Sequence, residues 1–432
     1  MRMYSRRAAL GLGGAVLLAA LAACGEDSSS PPSSRGGQDA DPDGPEVQLA
    51  ADDPNAAGYQ AAAAGFGLRM LAAALEEGKP NAVVSPLSIS QCLALVAQGA
   101  ADQTLDEMAA MLGSGSAEEL RSGANADITA IAALKQATFE MANTSFTDES
   151  FEVHDEYAAT VKQYFGVAPH TADFTDPETA RTQINGWVAE RTHDKIPELI
   201  GQGQITTDTR SVLVNALYMK ARWSEQFDPD DTTTGDFTTE DGQTIDAKLM
   251  HSRRNVSVAQ EPDGSIIFAL PYEDESLQAV FVLPPEGAPL ADVIDALASQ
   301  PAGTPMLPEA AAMTDAELTV PRFEMRLPID LKPALQSAGM LRAFEPEQAD
   351  FSALSDQPTY LGFVQHEAWL KVGEKGTEGA AATAAGGEAG AAPGPSDEPL
   401  EIRLDRPFLF AVQEKTTGAL AFLAAVLDPA KS

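Results

Sequence analysis

Residues 374–385 combine an acidic start with a run of small side chains. Glu374 precedes Gly376, and the residues that follow are almost all Ala, Gly or Thr. An exposed loop has no reason to avoid every bulky residue, whereas a segment that must slide between two existing strands does, because only small side chains fit a closing gap. Ala and Thr suit a loop and a pleated strand equally, so we predict that this segment can become a strand. Side chains alternate between the faces of a strand, so one face would carry Thr377, Gly379, Ala381 and Thr383, and the other Glu378.

Other patterns that carry chemistry are missing from the sequence. No two of the five histidines have metal-ligand spacing, and the sequence contains no H-E-x-x-H, C-x-x-C or G-x-S-x-G motif. We therefore expect no metal, no cofactor and no catalytic residues. His366 lies just before the small-residue segment, and taken by itself it is explained as part of a satisfied polar cluster in the core.

The charge balance restricts the possible partners. The chain has 432 residues, with 28 basic and 64 acidic side chains and a formal net charge of −36. Binding of phosphate or sulfate groups requires clustered Lys and Arg, so we expect neither nucleic acid nor a heparin-like polyanion as a partner. Hydrophobic residues make up 44 % of the chain, which is enough for a sizeable core.

Helical patterns dominate the N-terminal part, and strand patterns dominate from residue 237 onward. Helices are predicted near residues 57–77 and 85–99, and Ser211–Lys220 reads as a central strand because it is almost continuously apolar. One strand is predicted over Glu317–Arg326. This order of elements favours an α+β fold.

An ordered set of short motifs resembles the serpins, the large serine-protease inhibitors that insert their own loop into a sheet. The resemblance covers roughly residues 56–430 and implies a single serpin-like domain, a helical part packed on large mixed or antiparallel sheets, with an exposed reactive loop at about 374–401. The motifs that carry it are Asn81–Ser90, Leu213–Trp223, Leu270–Tyr272, Val282–Pro284, Val320–Phe323, Ala349–Ser352, Gln365–His366, Glu374–Ala382 and Arg406–Phe410.

The resemblance implies a suicide inhibitor rather than an enzyme. In the family, a target serine protease, and in some cases a cysteine protease, cuts the exposed loop, becomes acyl-linked to it and is trapped when the hinge inserts into the main sheet. The implied hinge residues are Glu374, Gly376, Thr377, Glu378, Gly379, Ala380, Ala381 and Ala382. The implied residues at the opening gap, termed the shutter and the breach, are Ser85, Ser88, Asn215, Trp223 and His366.

The scissile bond has two possible positions. Counting forward from Gly376 with the family spacing leads to Gly390–Ala391, and counting back from Pro407 leads to Ser396–Asp397, so this loop is about six residues longer than usual. The candidate region is Glu388, Ala389, Gly390, Ala391 and Ala392. Its small residues predict elastase- or subtilisin-like targets, and Glu388 leaves a glutamate-specific protease open. Non-inhibitory serpins that act as surface binding or structural proteins remain the alternative.

The first 55 residues predict export and anchoring rather than fold. Residues 1–23 pair arginines with a short apolar run and precede Cys24, as in a bacterial lipoprotein signal, which implies lipidation of Cys24 and attachment at the extracellular face of the cell envelope. Residues 24–55 are rich in Ser, Pro, Gly and Asp and predict a disordered tether. We expect a lipid-anchored monomer.

Overall fold

The computed structural model describes residues 45–49, 56–76, 78–301, 304–308, 311–377 and 398–431. Within these ranges the chain forms eight α-helices: α1 Ala56–Glu76, α2 Pro86–Ala97, α3 Asp102–Met111, α4 Ala117–Ala132, α5 Asp155–Phe165, α6 Pro177–Arg191, α7 Leu290–Ala298 and α8 Lys332–Ser337. The strands within the same ranges are β1 Asn81–Val84, β2 Ala137–Asp148, β3 His170–Ala172, β4 Ser211–Arg222, β5 Thr233–Thr238, β6 Thr244–Gln260, β7 Ile266–Pro271, β8 Leu277–Leu283, β9 Ala312–Pro321, β10 Phe323–Asp330, β11 Val364–Gly373, β12 Gly376–Thr377, β13 Leu400–Arg403, β14 Phe408–Glu414 and β15 Leu420–Val426.

The described strands form two sheets. One has six strands in the order β10-β11-β12-β4-β2-β3, and β11 also pairs directly with β4. The other has nine strands, with β1-β15-β14-β8-β7-β6-β9-β13 in order and β5 paired to β6. Helices and sheets pack side by side, and this confirms the predicted α+β class.

Both faces of the six-stranded sheet are covered near its centre. One face packs on the main core together with α2, which is buried along its whole length. The other face packs on α6 through a second apolar cluster that includes Val214, Ala216 and Val188. Burial on both faces explains why β4 lacks an alternating sequence pattern, as expected for an interior strand.

The strand predicted over Glu317–Arg326 is two strands in different sheets. The backbone leaves the nine-stranded sheet after Pro321 and enters the six-stranded sheet at Phe323. The N–H of Arg322, at the corner, donates to the carbonyl of Lys248 at 2.8 Å, so the turn keeps its backbone hydrogen bond. The single-strand prediction was wrong because an apolar β pattern continues through a corner where a chain changes sheets.

Candidate functional site

The short strand β12 lies between the ends of β11 and β4. It is antiparallel to both neighbours, whereas further along β11 and β4 pair directly and in parallel over Val364–Ala368 and Leu213–Leu217. Between the part where β12 separates the two strands and the part where they pair directly, the described pairings leave residues 218–220 of β4 and 369–371 of β11 without a partner in the other strand or in β12. We call this opening between β4 and β11 the gap. The partners of β12 are Gly373 and Arg222 for Gly376, and Val372 and Ala221 for Thr377.

Gly376 makes the close approach that starts β12. Its φ angle is +151°, which is a conformation that L side chains rarely adopt. A Cβ atom built on Gly376 would lie 2.0 Å from the carbonyl oxygen of Ala221 and 2.8 Å from the Cα of Arg222. Only glycine fits here, because backbone atoms cannot move aside as the end of a side chain can.

An aromatic pair holds the turn before β12. The indole N–H of Trp223 donates to the carbonyl of Gly373 at 2.9 Å, and its backbone N–H donates to the carbonyl of Lys375 at 3.0 Å. Tyr272 stacks on Trp223 with ring centroids 4.5 Å apart, and its hydroxyl bonds to the buried hydroxyl of Thr377. Burial raises the pKa of Tyr272, so this phenol stays protonated.

Glu374 fastens the same turn to the body of the protein. Its carboxylate pairs with the guanidinium of Arg322 and accepts a hydrogen bond from the hydroxyl of Thr232 at 2.7 Å. Burial acts to raise the pKa of Glu374, but the hydrogen bonds from these two side chains outweigh it and leave the net pKa below its usual value. The carboxylate is therefore charged at neutral pH.

A second polar cluster lies where β4 and β11 pair directly. The Nδ2 of Asn215 donates to the hydroxyl of Ser88 at 2.8 Å and to Oδ1 of Asn143 at 3.0 Å, and the hydroxyl of Ser88 donates to the same Asn143 oxygen at 2.9 Å. Ser85 caps α2 by accepting from the N–H of Ser88 at 3.1 Å. All four side chains are buried, so the cluster ties α2 to β2 and β4 inside the core.

His366 connects this cluster to β11. Its Nε2 accepts a hydrogen bond from the backbone N–H of Ser85 at 3.2 Å, which leaves the proton on Nδ1 to be donated to Oδ1 of Asn215. Complete burial lowers the pKa of His366 to about 3, so the imidazole is neutral at physiological pH. The cluster is thus a neutral hydrogen-bond network that crosses from β4 to β11.

The residues singled out from the sequence fall into two groups. The structure brings Glu374, Gly376, Thr377 and Trp223 to one end of the gap, and Ser85, Ser88, Asn215 and His366 to the point where the gap closes. Val372 lies six positions after His366, so the two groups lie roughly 20 Å apart along β11. The remaining predicted positions lie outside the described residues: Cys24, Glu378, Gly379, Ala380, Ala381, Ala382, Glu388, Ala389, Gly390, Ala391 and Ala392, together with the signal segment and the tether apart from residues 45–49. The prediction of a disordered tether is wrong for residues 45–49, because the backbone of Val47 is hydrogen-bonded to α5.

Several contributing residues were missed by sequence reasoning. Arg322 and Tyr272 lie within two of the short motifs, but nothing in the sequence marks their partners. Arg322 pairs with Glu374, and the hydroxyl of Tyr272 bonds to the hydroxyl of Thr377. Asn143 stands in a strand with no motif around it, and nothing local marks it as a partner of Ser88. A buried carboxylate, Glu367, pairs with Arg326 beside the closed part of the gap and was also missed.

The described residues show no metal site, and their free cysteine, Cys92, is buried. No group of three or more His, Cys, Asp or Glu side chains within them is placed to hold a metal ion. Burial raises the pKa of the Cys92 thiol, whose sulfur contacts the carbonyl of Val214 at 3.4 Å, so this cysteine is an unreactive core residue. Among the helices in the described ranges, none has both the length and the apolar character needed to span a membrane.

Comparisons with known proteins agree on one family. The Serpin (serine protease inhibitor) family model matches residues 61–429. Serpin-Z2A of Oryza sativa subsp. japonica is 31% identical over 396 residues, which covers 82% of this chain and 92% of that protein. Leukocyte elastase inhibitor of Bos taurus is 32% identical over 359 residues, which covers 81% and 93%.

Solved structures are similar over most of the chain. Manduca sexta serine protease inhibitor (serpin)-12 superposes with a TM-score of 0.76 at 25% identity, covering 86% of this chain and 99% of that one. Thyroxine-binding globulin in complex with thyroxine superposes with a TM-score of 0.72, also at 25% identity, covering 86% and 99%.

Proposed function

The chain belongs to the serpin family, and we propose that it inhibits its target by loop cleavage, acyl-enzyme trapping and insertion of the cut loop between β4 and β11. Members of this family are protease inhibitors rather than enzymes, and family membership supports serine protease inhibition as the activity. The observation that carries the mechanism is the position of β12. This strand already fills one end of the gap, and insertion of the cut loop would fill the rest.

Hydrogen bonding favours insertion once the loop is cut. The direct contact of β4 with β11 is a parallel ladder of five residue pairs. An inserted strand replaces it with two antiparallel ladders, because β12 sets an antiparallel direction on both sides. Each backbone hydrogen bond contributes about 1 kcal/mol net, so the pairing gained on both edges of the inserted strand favours insertion.

We propose proteases with small or permissive specificity pockets as targets. No Arg or Lys lies between Lys375 and Arg403, so the loop offers no site to trypsin-like enzymes. The small residues around Gly390 suit elastase- or subtilisin-like enzymes, and the similarity to the bovine protein named leukocyte elastase inhibitor supports this class. A glutamate-specific enzyme that cuts after Glu388 is the other proposed target.

The test is formation of a covalent complex. We expect pancreatic elastase or subtilisin to give a complex that survives boiling in detergent. Thr377→Arg places a long charged side chain in the buried position beside Tyr272, so this variant should be cut without retaining the enzyme. The matched control is Thr207→Arg, at an exposed position, which should still form the complex. Clipped wild-type protein with fully active enzyme would reject the mechanism.

The second candidate is a non-inhibitory surface binding protein. The loop is about six residues longer than the family spacing, and at roughly 3.3 Å per residue this adds about 20 Å of slack. With that slack, insertion would not pull the bound protease tightly enough to distort its active site. Thyroxine-binding globulin, a structural neighbour solved in complex with the small molecule thyroxine, is an example of another role on this fold. A melting temperature unchanged by loop cleavage would favour this candidate.

We also propose that the protein is exported and anchored through a lipid on Cys24. The apolar run that ends at Cys24 and the polar residues after it support this placement. Mass spectrometry of the protein expressed in a bacterial host should show an N-terminal diacylglyceryl cysteine, and Cys24→Ala should abolish membrane association. An unprocessed N-terminus, or membrane association that persists in Cys24→Ala, would reject the proposal.

A further inference from the structure

An extended segment outside the matched family region lies across two helices. This strap, residues 45–49, has its backbone bonded to α5, because the N–H of Val47 donates to the carbonyl of Gln163 at 3.0 Å. Its side chains alternate, as in a strand on a packed surface. Those that are partly buried are Pro45, Val47 and Leu49, and those that are exposed are Glu46 and Gln48.

The buried side chain of Asn125 on α4 binds the strap as a neighbouring backbone would. Its Oδ1 accepts from the N–H of Leu49 at 2.7 Å, and its Nδ2 donates to the carbonyl of Val47 at 2.8 Å. The same Nδ2 donates to the carbonyl of Tyr164 on α5 at 2.6 Å. Asn125 is 0% exposed, so loss of the strap would leave a buried amide oxygen without its partner.

A cleft that opens to solvent lies next to Pro45 at one end of the strap. Its volume is about 580 Å³, and its walls include parts of α2, α4, β2 and the C-terminal end of α5. Helices that border a cleft lack packing partners on that side, so they can shift at a lower packing cost than helices enclosed by the core. Apolar side chains that line it include Leu95, Ile128, Phe139 and Phe165.

Insertion of a strand would move α5 relative to α4. An added strand widens the six-stranded sheet by about 4.8 Å and displaces β2 and β3 from β10 and β11. The helix α5 lies between β2 and β3 in the chain and is joined to both by short connections, so it moves with them. The helix α4 packs more extensively against α1 and α2, on the core side of the sheet, than against α5. The strap therefore bridges two parts that insertion would displace.

We propose that residues 45–49 are a strap that occupies the groove between α4 and α5 and slows spontaneous opening of the six-stranded sheet. The groove is a binding site for an extended segment with alternating apolar residues, and its occupant is this chain's own sequence. The proposal rests on the insertion mechanism of the proposed function. It adds that the strap, which lies within the N-terminal tether, helps to keep the uncut protein in its native form.

The test uses the full chain and two paired variants. Val47→Asp with Leu49→Asp places two charges on the buried side of the strap, whereas Glu46→Asp with Gln48→Asp, the control, changes only exposed positions. Spontaneous opening of the sheet would let the uncut loop insert, which gives an inactive form that resists unfolding by urea. During incubation without protease, we expect the first variant to convert to this form about tenfold faster than wild type. The control should match wild type. Equal conversion rates in all three proteins would overturn the proposal.

Hydrogen exchange separates failure of the strap from failure of the proposed function. The amides of α5 near Gln163 should exchange about tenfold faster in the first variant and at the wild-type rate in the control, whether or not the protein inhibits a protease. Unchanged exchange would show that the strap does not hold α5. Faster amide exchange of α5 with an unchanged rate of conversion to the urea-resistant form would show that the strap does not control opening of the sheet. A wild type that never inserts after cleavage would reject the proposed function instead.

Discussion

The Nδ1–H of His366 donates a hydrogen bond to Oδ1 of Asn215, and this bond joins β11 to β4 where the two strands still pair directly. The two residues are direct register partners. A strand that enters from the end marked by Thr377 must part them to continue. The bond is therefore the first side-chain contact of the polar cluster that insertion across the closed part of the gap has to break.

Removal of one partner should weaken this closure. In Asn215→Ala the Nδ1–H of His366 and the Ser88 hydroxyl lose a buried partner, so we expect the free energy of unfolding to fall by about 1–3 kcal/mol. Urea unfolding of the uncut protein measures it. The control is Asn255→Ala, in an exposed strand position of β6, which should stay within about 0.5 kcal/mol of wild type. Equal effects of the two substitutions would contradict the role of the cluster.

The stability of the uncut protein should depend on pH through His366. Burial lowers its folded-state pKa to about 3, against about 6.5 in the unfolded chain, so between these values only the unfolded chain binds the proton. Acidification from pH 6.5 therefore costs up to about 1.4 kcal/mol per pH unit. Burial raises the pKa of Asp127 to about 7, which acts with the opposite sign, so wild type must be compared with His366→Gln.

The variant should lose one proton of uptake on unfolding between pH 6 and pH 4. Urea midpoints measured across that range report it, because on acidification the free energy of unfolding should fall less, or rise more, in His366→Gln than in wild type. Identical dependences in His366→Gln and wild type would contradict a neutral, buried imidazole.

The ion pair between Glu374 and Arg322 should hold the hinge turn at neutral pH. Because the folded-state pKa of Glu374 is lowered, its contribution is present above the unfolded pKa of about 4.3 and is lost as pH falls through the folded pKa. Glu374→Gln should reduce stability at pH 7 by on the order of 1 kcal/mol, a modest effect because Arg322 is half exposed.

The same difference should disappear in acid. Thermal unfolding of wild type and Glu374→Gln at pH 7 and at pH 3 measures it. Glu401→Gln removes an exposed pair with Arg403 and serves as the matched control, with little effect at either pH. A difference at pH 3 as large as that at pH 7 would contradict the assignment.

Substitution of Gly376 should expel β12 from the gap. In Gly376→Ala the new methyl group would overlap the carbonyl of Ala221, so the hinge pair must leave and insertion must start later. We expect more variant molecules to be clipped per protease molecule trapped, by about tenfold. Gly362→Ala is the control, because its Cβ would meet nothing within 4 Å. An unchanged ratio of clipped to trapped molecules would show that β12 does not initiate insertion.

The hinge was predictable from sequence because its requirement is local. Small side chains and one glycine at the bend are steric demands of the segment itself, so Gly376 and Thr377 stand out without knowledge of the sheet. The resemblance to the serpins, rather than any pattern in the residues, implied that Asn215 and His366 lie near each other. Their hydrogen-bond geometry could not be predicted, since it depends on which strands become neighbours.

Features that depend on tertiary arrangement could not be predicted from the sequence. Asn143 lies 55 residues from Ser88 and 72 residues from Asn215, and a lone Asn in a strand carries no local signal of such partners. The corner at Arg322 was hidden because apolar residues recur at strand-like spacing on both sides of it. The helix α4 was not predicted because its acidic and small residues show weak periodicity, although it supplies the Asn125 that binds the strap.

The most direct test of the central claim is calorimetry of the protein before and after a single cut in residues 386–399. Insertion of the cut loop between β4 and β11 adds on the order of 10 kcal/mol of hydrogen bonding, so the melting temperature should rise by about 10 °C or more. A cut protein that melts at the same temperature as the intact protein would contradict the account, because no strand would then have entered the sheet.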